Sequence, residues 1–123
     1  MITIQLTDRA PVEIDKAEWP IVAEGTGDSY VWGDYARHEQ ALAQGEPDTY
    51  RLRVRRHADG RALVTGYITA GHSHPDGENR RGGEIVQPGK NVVAAILCVA
   101  EDLDIPLRVA RECIADLPAT PLV

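Results

Sequence analysis

The sequence predicts an α+β fold: an antiparallel β-sheet built from two hairpins, at about residues 2–15 and 49–69, covered by a short N-terminal helix and two C-terminal helices. Three observations lead to this prediction. Apolar and polar residues alternate in both hairpin segments, which is typical of half-buried strands. Apolar residues at helical spacing recur after residue 90. Hairpins with one apolar face need a cover, which these helices can supply. We expect the 123 residues to form a single domain, 1–123.

The central hairpin is the clearest element, and its turn leaves two registers open. A two-residue turn at residues 59–60 would pair Val54 with Thr65. A type I turn with Gly60 in the bulge position would pair Val54 with Val64 and position 50 with position 68. We prefer the second register because it gathers the apolar side chains on one face of the hairpin: Tyr50, Leu52, Val54, Val64 and Ile68.

The N-terminal segment predicts a second hairpin followed by a short helix. Pairing Leu6 with Val12 would set Ile4 opposite Ile14 and keep the apolar side chains together. Residues 15–18 have capping-box spacing, which predicts a helix start there, and Pro20 makes that helix short or late to begin. Gly25 and Gly27 should end it. A turn-rich link at 25–33 and a surface helix or loop at 34–44 should follow, and residues 84–86 predict a short strand.

Two helices are predicted near the C-terminus. The first covers residues 91–102, and the second begins at Pro106 and stops at Pro118. The apolar stripe of the first helix should be Val92, Val93, Ile96, Val99 and Leu103, and that of the second Leu107, Ala110, Ile114 and Leu117. Cys98 and Cys113 fall at apolar positions of these helices, so we expect reduced core cysteines rather than a disulfide.

Charge is distributed unevenly along the chain, whose net charge is −6. Residues 1–48 carry ten acidic and three basic side chains, whereas residues 49–61 carry five arginines and one aspartate. This distribution disfavours general affinity for nucleic acid. No apolar run is long enough to span a membrane, and no secretory signal is visible, so a cytoplasmic protein without membrane contact is expected.

The segment 71–90 contains the one constellation that suggests metal chemistry. His72 and His74 lie two residues apart, so on an extended segment both can reach one ion, and Asp76 could complete a zinc site. Glu78 and Glu84 are further carboxylates in the same stretch. The alternative, which we prefer, is a polar loop whose histidines bind nothing.

The string HSHPDG resembles the His-x-His-Pro motif of the JAMM/MPN family of zinc isopeptidases, which also places it just after a strand. In that family a serine and an aspartate follow at offsets that fall here on Gly82 and Ile85. Only His72 and His74 therefore match. The resemblance implies a zinc-dependent hydrolase in which Asp76, Glu78 or Glu84 replaces the missing ligand.

Arg51, Arg53 and Arg55 should project from one face of their strand. They could clamp an acidic segment or phosphates through bidentate guanidinium contacts. We prefer a solvated outer face whose arginines pair with the acidic first third of the chain.

Spaced carboxylates form the candidate partner-binding surface, because they can imitate the phosphates of nucleic acid and occupy a basic groove on another protein. The alternative is that these acidic side chains only keep the protein soluble. The candidate residues are Asp28, Asp34, Glu39, Glu46, Asp48, Glu101, Asp102 and Asp104.

Three segments frame most of the chain: IQLTDRAPVEIDKAEWPIVA, RLRVRRHADGRALVTGY and ECIADLPA. They resemble a family of small acidic accessory proteins encoded on bacterial conjugative and integrative mobile elements. The resemblance implies an inhibitor of host defence, such as an anti-CRISPR or antirestriction protein.

Our leading hypothesis is therefore a non-enzymatic binding protein without a cofactor, whose partner is a protein with a basic surface, such as a host defence complex, and not nucleic acid itself. The first alternative is the zinc hydrolase that uses His72 and His74. The second is a homo-oligomeric scaffold, a homodimer for example, joined through exposed strand edges.

Overall fold

The computed structural model describes residues 1–28, 48–69 and 79–118 and confirms the α+β fold. Its strands pair antiparallel in two sheets, one of two strands with the order β1-β2 and one of four strands with the order β3-β4-β5-β6. The elements are β1 (Ile2–Leu6), β2 (Arg9–Ile14), β3 (Ile21–Asp28), β4 (Thr49–Arg56), β5 (Ala62–Thr69), β6 (Arg80–Val86), α1 (Val92–Leu103) and α2 (Leu107–Asp116).

The predicted short N-terminal helix is wrong, because residues 21–28 form β3 and pair with β4. Asp15 does not cap a helix. Its carboxylate accepts a hydrogen bond from the Ala17 N–H, and its carbonyl accepts one from the Glu18 N–H, which makes a tight turn. Pro20 then disfavours helical backbone in the residue before it, and the chain continues as an extended strand instead of the expected link after Gly25.

The register preferred for the central hairpin is confirmed. Val54 faces Val64 and Tyr50 faces Ile68, and Gly60 takes a φ of 97° in the turn. That backbone conformation is accessible to glycine at little cost.

The register predicted for the N-terminal hairpin is wrong by two residues. Ile4 faces Val12 and Ile2 faces Ile14, because the chain turns earlier than expected, at residues 7–8, where Asp8 has a φ of 56°. A shift of two residues keeps the same side chains on one face, so the predicted apolar face survives. This hairpin does not join the larger sheet edge to edge, as a single sheet would require, but forms a sheet of its own.

Helices α1 and α2 cover one face of the four-stranded sheet. Ile96, Val99 and Leu103 of α1 are buried there as predicted, but Val93 and Cys98 are exposed. In α2 the predicted stripe is rotated. Leu107 is 53% exposed, Ile114 and Leu117 are only partly buried, and the buried residues are Val109, Ala110 and Cys113. Both cysteines are free.

The β1-β2 hairpin packs on part of the opposite face of the four-stranded sheet. Ile14, Trp19 and Leu63 form a second buried cluster there, with Ile85 and the apolar side chains of the hairpin packed against it. Arg55 is buried on the same face of the sheet, and its Nη1 donates a hydrogen bond to the Trp19 carbonyl oxygen, 3.1 Å away.

Both outer strands of the four-stranded sheet are hydrogen-bonded to other parts of the fold. At β6, the Thr7 N–H donates to the Gly83 carbonyl oxygen at 2.9 Å, and the Gly83 N–H donates to the Thr7 hydroxyl at 3.2 Å. At β3, the Glu24 N–H donates to Oδ2 of Asp116 at 3.0 Å.

Neither α1 nor α2 is long and apolar enough to cross a membrane, and these are the helices found in the described parts of the chain.

Candidate functional site

Two surfaces of opposite charge stand out, and the first is acidic. We call it the acidic edge: Asp8, Glu84, Glu101, Asp102 and Asp104. The turn of the β1-β2 hairpin reaches around β6 toward α1, which brings residues from three separate segments together. A cavity of about 220 Å³ is lined there by Asp8, Glu84 and Asp102, and also by the basic Arg9. Glu101 and Asp104 adjoin it as near neighbours of Asp102 at the end of α1.

The end of α1 places three of the predicted partner-binding acids on this edge. Glu101 and Asp102 are exposed, and within residues 1–28, 48–69 and 79–118 neither makes an ion pair. Asp104 caps the helix in a left-handed conformation with a φ of 59°, and its N–H is directed at the carbonyl oxygens of Ala100 and Glu101. Its carboxylate lies 3.4 Å from Nη1 of Arg80, an exposed pair that stabilises the fold little.

The other predicted partner-binding acids do not join the acidic edge in the described structure. Asp28 ends β3, and Asp48 immediately precedes β4, so the two lie at the same end of the four-stranded sheet, where Asp28 faces Thr49. Asp34, Glu39 and Glu46 lie outside the described residues.

The second surface is cationic and lies on the sheet face that the helices leave uncovered. We call it the arginine groove: Arg51, Arg53, Thr65, Tyr67 and Arg81, with β1 along one side. Its volume is about 260 Å³. The strand register explains why these side chains lie together, because Arg51, Tyr67 and Arg81 face one another across β4, β5 and β6.

The predicted arginine row divides into two parts. Arg51 and Arg53 lie in the groove and both contact Glu24, with Nε-to-Oε distances of 3.3 and 3.4 Å, so they pair with the acidic first third as expected. Arg53 Nε makes an ion pair at this distance without hydrogen-bond geometry. Arg55 is not on a solvated face, because it is buried and bonded to the Trp19 carbonyl oxygen, and this burial lowers the pKa of its guanidinium.

Tyr67 and Arg81 were not predicted as site residues. The Arg81 guanidinium stacks on the Tyr67 ring, 4.6 Å from its centroid, and its Nη2 lies 3.4 Å from the phenol oxygen. A hydrogen bond from Thr69 and then the one from Arg81 lower the pKa of Tyr67, and the positive charges of Arg81 and Arg51 act in the same direction. The register that pairs Tyr50 with Ile68 would have placed Tyr67 beside Arg51, so this signal was present in the sequence.

Arg81→Gln is expected to raise the pKa of Tyr67. The substitution removes a donor and a positive charge that both favour the phenolate, so the phenol should lose its proton at higher pH. An NMR titration of the Tyr67 ring measures this directly. Arg111→Gln removes the same charge from an exposed position of α2 and should leave the titration unchanged.

The residues proposed for zinc, His72, His74 and Asp76, lie outside the described residues, as does Glu78. Glu84 is exposed on β6. Over residues 1–28, 48–69 and 79–118, no group of three or more His, Cys, Asp or Glu side chains is arranged to hold a metal ion.

The buried cysteine has the properties of a packing residue. Burial, followed by the nearby charge of Asp116, raises the pKa of Cys113 to about 11, so its thiol stays protonated at neutral pH. Since the thiolate is the reactive form, Cys113 is unsuited to act as a nucleophile.

Comparisons with known protein families, with curated proteins and with solved structures found no match. Function is therefore inferred from the acidic edge and the arginine groove.

Proposed function

We propose that this protein is a non-enzymatic inhibitor that binds another protein through its acidic edge. Its partner is a nucleic-acid-binding protein with a basic surface. The resemblance to accessory proteins of mobile elements supports a role in anti-defence, and we propose that it acts as an anti-CRISPR or antirestriction protein in the cytoplasm. The observation that carries the proposal is the pair of exposed carboxylates, Glu101 and Asp102, in the last turn of α1.

Helix energetics disfavour these two carboxylates where they stand. The C-terminus of a helix carries partial negative charge, so an acidic side chain there costs about 0.3–1 kcal/mol and a basic one is favourable. Helix α1 has no basic residue in its last turn. Within the described part of the chain no ion pair offsets the charge of Glu101 or Asp102. Folding alone does not account for these residues, and a basic partner would.

The acidic edge suits a competitor of nucleic acid. Its carboxylates come from the β1-β2 turn, from β6 and from the end of α1, so they form a spaced array rather than a single point of charge. Such an array can occupy a groove built for phosphates and exclude the nucleic acid from it. Attraction between opposite charges also speeds encounter, and this effect weakens as salt screens the charges.

A charge-reversal experiment tests the proposal. The tagged protein is used to capture a partner from a host that carries defence systems, and the complex is then reconstituted from purified components. We expect binding to weaken steeply as salt increases, and Glu101→Lys with Asp102→Lys to weaken it by tenfold or more. Glu13→Lys with Glu112→Lys makes the same charge change at exposed positions off the acidic edge and should have a much smaller effect.

The same double variant has a built-in stability control. Lysines at positions 101 and 102 should raise the free energy of unfolding by about 0.5–2 kcal/mol, because they complement the helix end. Weaker binding by a more stable protein cannot result from misfolding. Binding that is indifferent to salt, or unchanged in the double variant, would contradict the proposal.

Metal analysis distinguishes the hydrolase alternative. Stoichiometric zinc in the purified protein that is lost in His72→Ala would support a zinc site formed by His72 and His74. The acidic-edge proposal predicts that His72→Ala binds the partner as tightly as the unmodified chain.

A further inference from the structure

We propose that the arginine groove is a second binding site, independent of the acidic edge, and that it binds a phosphate monoester group. The site lies on the sheet face opposite the helices, between β1 and the exposed ends of the Arg51 and Arg81 side chains. Nothing in the proposed inhibitor function requires such a site.

The geometry directs several donors into one small space. Arg51 and Arg81 lie on either side of Tyr67 across three adjacent strands, and Arg53 and Thr65 form the next row along the sheet. Guanidinium groups bind phosphate oxygens through pairs of parallel N–H donors, and the Tyr67 and Thr65 hydroxyls can supply further hydrogen bonds.

Glu24 prepares the site rather than filling it. Its two carboxylate oxygens contact Arg51 and Arg53 through their Nε atoms. Within the described residues, no hydrogen bond or ion pair uses the terminal nitrogens of these two arginines. The contact with Glu24 therefore orients both guanidinium groups and leaves their outer donors for a ligand.

Charge and size indicate which anion fits. Three arginines and one glutamate leave the groove with two net positive charges, which matches a dianion better than a carboxylate or a phosphodiester. The volume of about 260 Å³ lies just below the usual range for drug-sized ligands. Ile4 and Gln5 of β1 line one side of the groove, which otherwise opens to solvent, so a phosphate group can enter it from outside.

NMR titration of the full chain with methyl phosphate at constant ionic strength tests this inference. We expect saturable shifts of the Nε–H signals of Arg51 and Arg81 and of the Tyr67 ring. Arg51→Gln or Arg81→Gln should weaken binding by tenfold or more, because each removes a charged donor from the ligand. Arg111→Gln, an exposed arginine on α2, should change it by less than twofold.

Other probes separate the monoester from related anions. Dimethyl phosphate and acetate, each with one negative charge, should bind at least tenfold more weakly than methyl phosphate. A phosphoserine peptide should compete for the same signals, and tighter binding than methyl phosphate would identify a phosphorylated protein as the source of the group. The inference is overturned if no groove signal saturates, if Arg111→Gln weakens binding as much as Arg51→Gln, or if acetate, dimethyl phosphate or an oligothymidine strand binds best.

Discussion

Gly25→Ala is expected to destabilise the protein by about 3 kcal/mol, near the upper end for overpacking. A Cβ atom at this position would lie 2.3 Å from the backbone oxygen of Val109 and 2.7 Å from the backbone nitrogen of Cys113. Both atoms belong to the backbone of α2 and cannot move aside by a change of rotamer. The helix would have to shift away from β3, which chemical denaturation would detect as a lower midpoint.

Gly27→Ala is the matched control on the same strand and the same face. A Cβ there would meet side-chain atoms, Cγ2 of Val109 at 2.8 Å and Nη1 of Arg108 at 2.9 Å. The Arg108 side chain would have to give up the hydrogen bond that its Nη2 donates to the Asp28 carbonyl oxygen, and the buried Val109 side chain would have to shift. Because side chains rather than backbone must move, we expect a loss of about 2 kcal/mol, below that of Gly25→Ala. Equal losses in the two variants would mean that α2 does not approach β3 as closely as described.

Ile96→Ala is expected to cost about 3 kcal/mol, within the range for removing a large aliphatic side chain from a core. Ile96 is 0% exposed and lies in the main core cluster between α1 and the sheet. The measurement is again the free energy of unfolding, since the substitution leaves a cavity that close-packed neighbours fill only in part.

Leu97→Ala is the control for this prediction. It removes a similar side-chain volume at the neighbouring position, where the leucine is 40% exposed. The expected loss is about 1 kcal/mol, well below that for Ile96, since the Leu97 side chain is only partly removed from water. A larger loss for Leu97 than for Ile96 would place the opposite side of α1 against the sheet.

The difference in burial between Ile96 and Leu97 also shows which property of the helices the sequence could not predict. Their positions were predictable, because the Asn91 side chain caps α1 by accepting a hydrogen bond from the Ala94 N–H, and Pro106 precedes α2. The buried side was harder to predict, because α1 is apolar on more than one side. Val93, Leu97 and Cys98 could all have faced a core, and only contact with the sheet determines that they do not.

Strand β3 was missed because one residue supports two local motifs. Asp15 with Glu18 has the spacing of a helix cap, yet the same aspartate makes a turn in the structure. The outcome is decided by β4, which pairs with β3 and is more than twenty residues away along the chain. By contrast, the central hairpin depends on local residues around Gly60, and its register was predicted correctly.

The same distinction applies to the two candidate surfaces. The acids at the end of α1 were predicted because they are neighbours in sequence. The arginine groove was predicted only in part, because Glu24 and Arg81 reach it through β3 and β6. Pairing across the sheet brings these residues to Arg51, and no local pattern shows that pairing.

The hydrogen bonds at the outer strands have a consequence for self-association. Thr7 occupies both backbone groups of Gly83 on β6, and the Asp116 carboxylate occupies the Glu24 N–H on β3. An incoming chain that tried to lengthen this sheet would first have to displace a hairpin turn on one flank or break a helix contact on the other. Templated growth into fibrils is therefore obstructed on both flanks, and the two obstacles come from elements far apart along the chain.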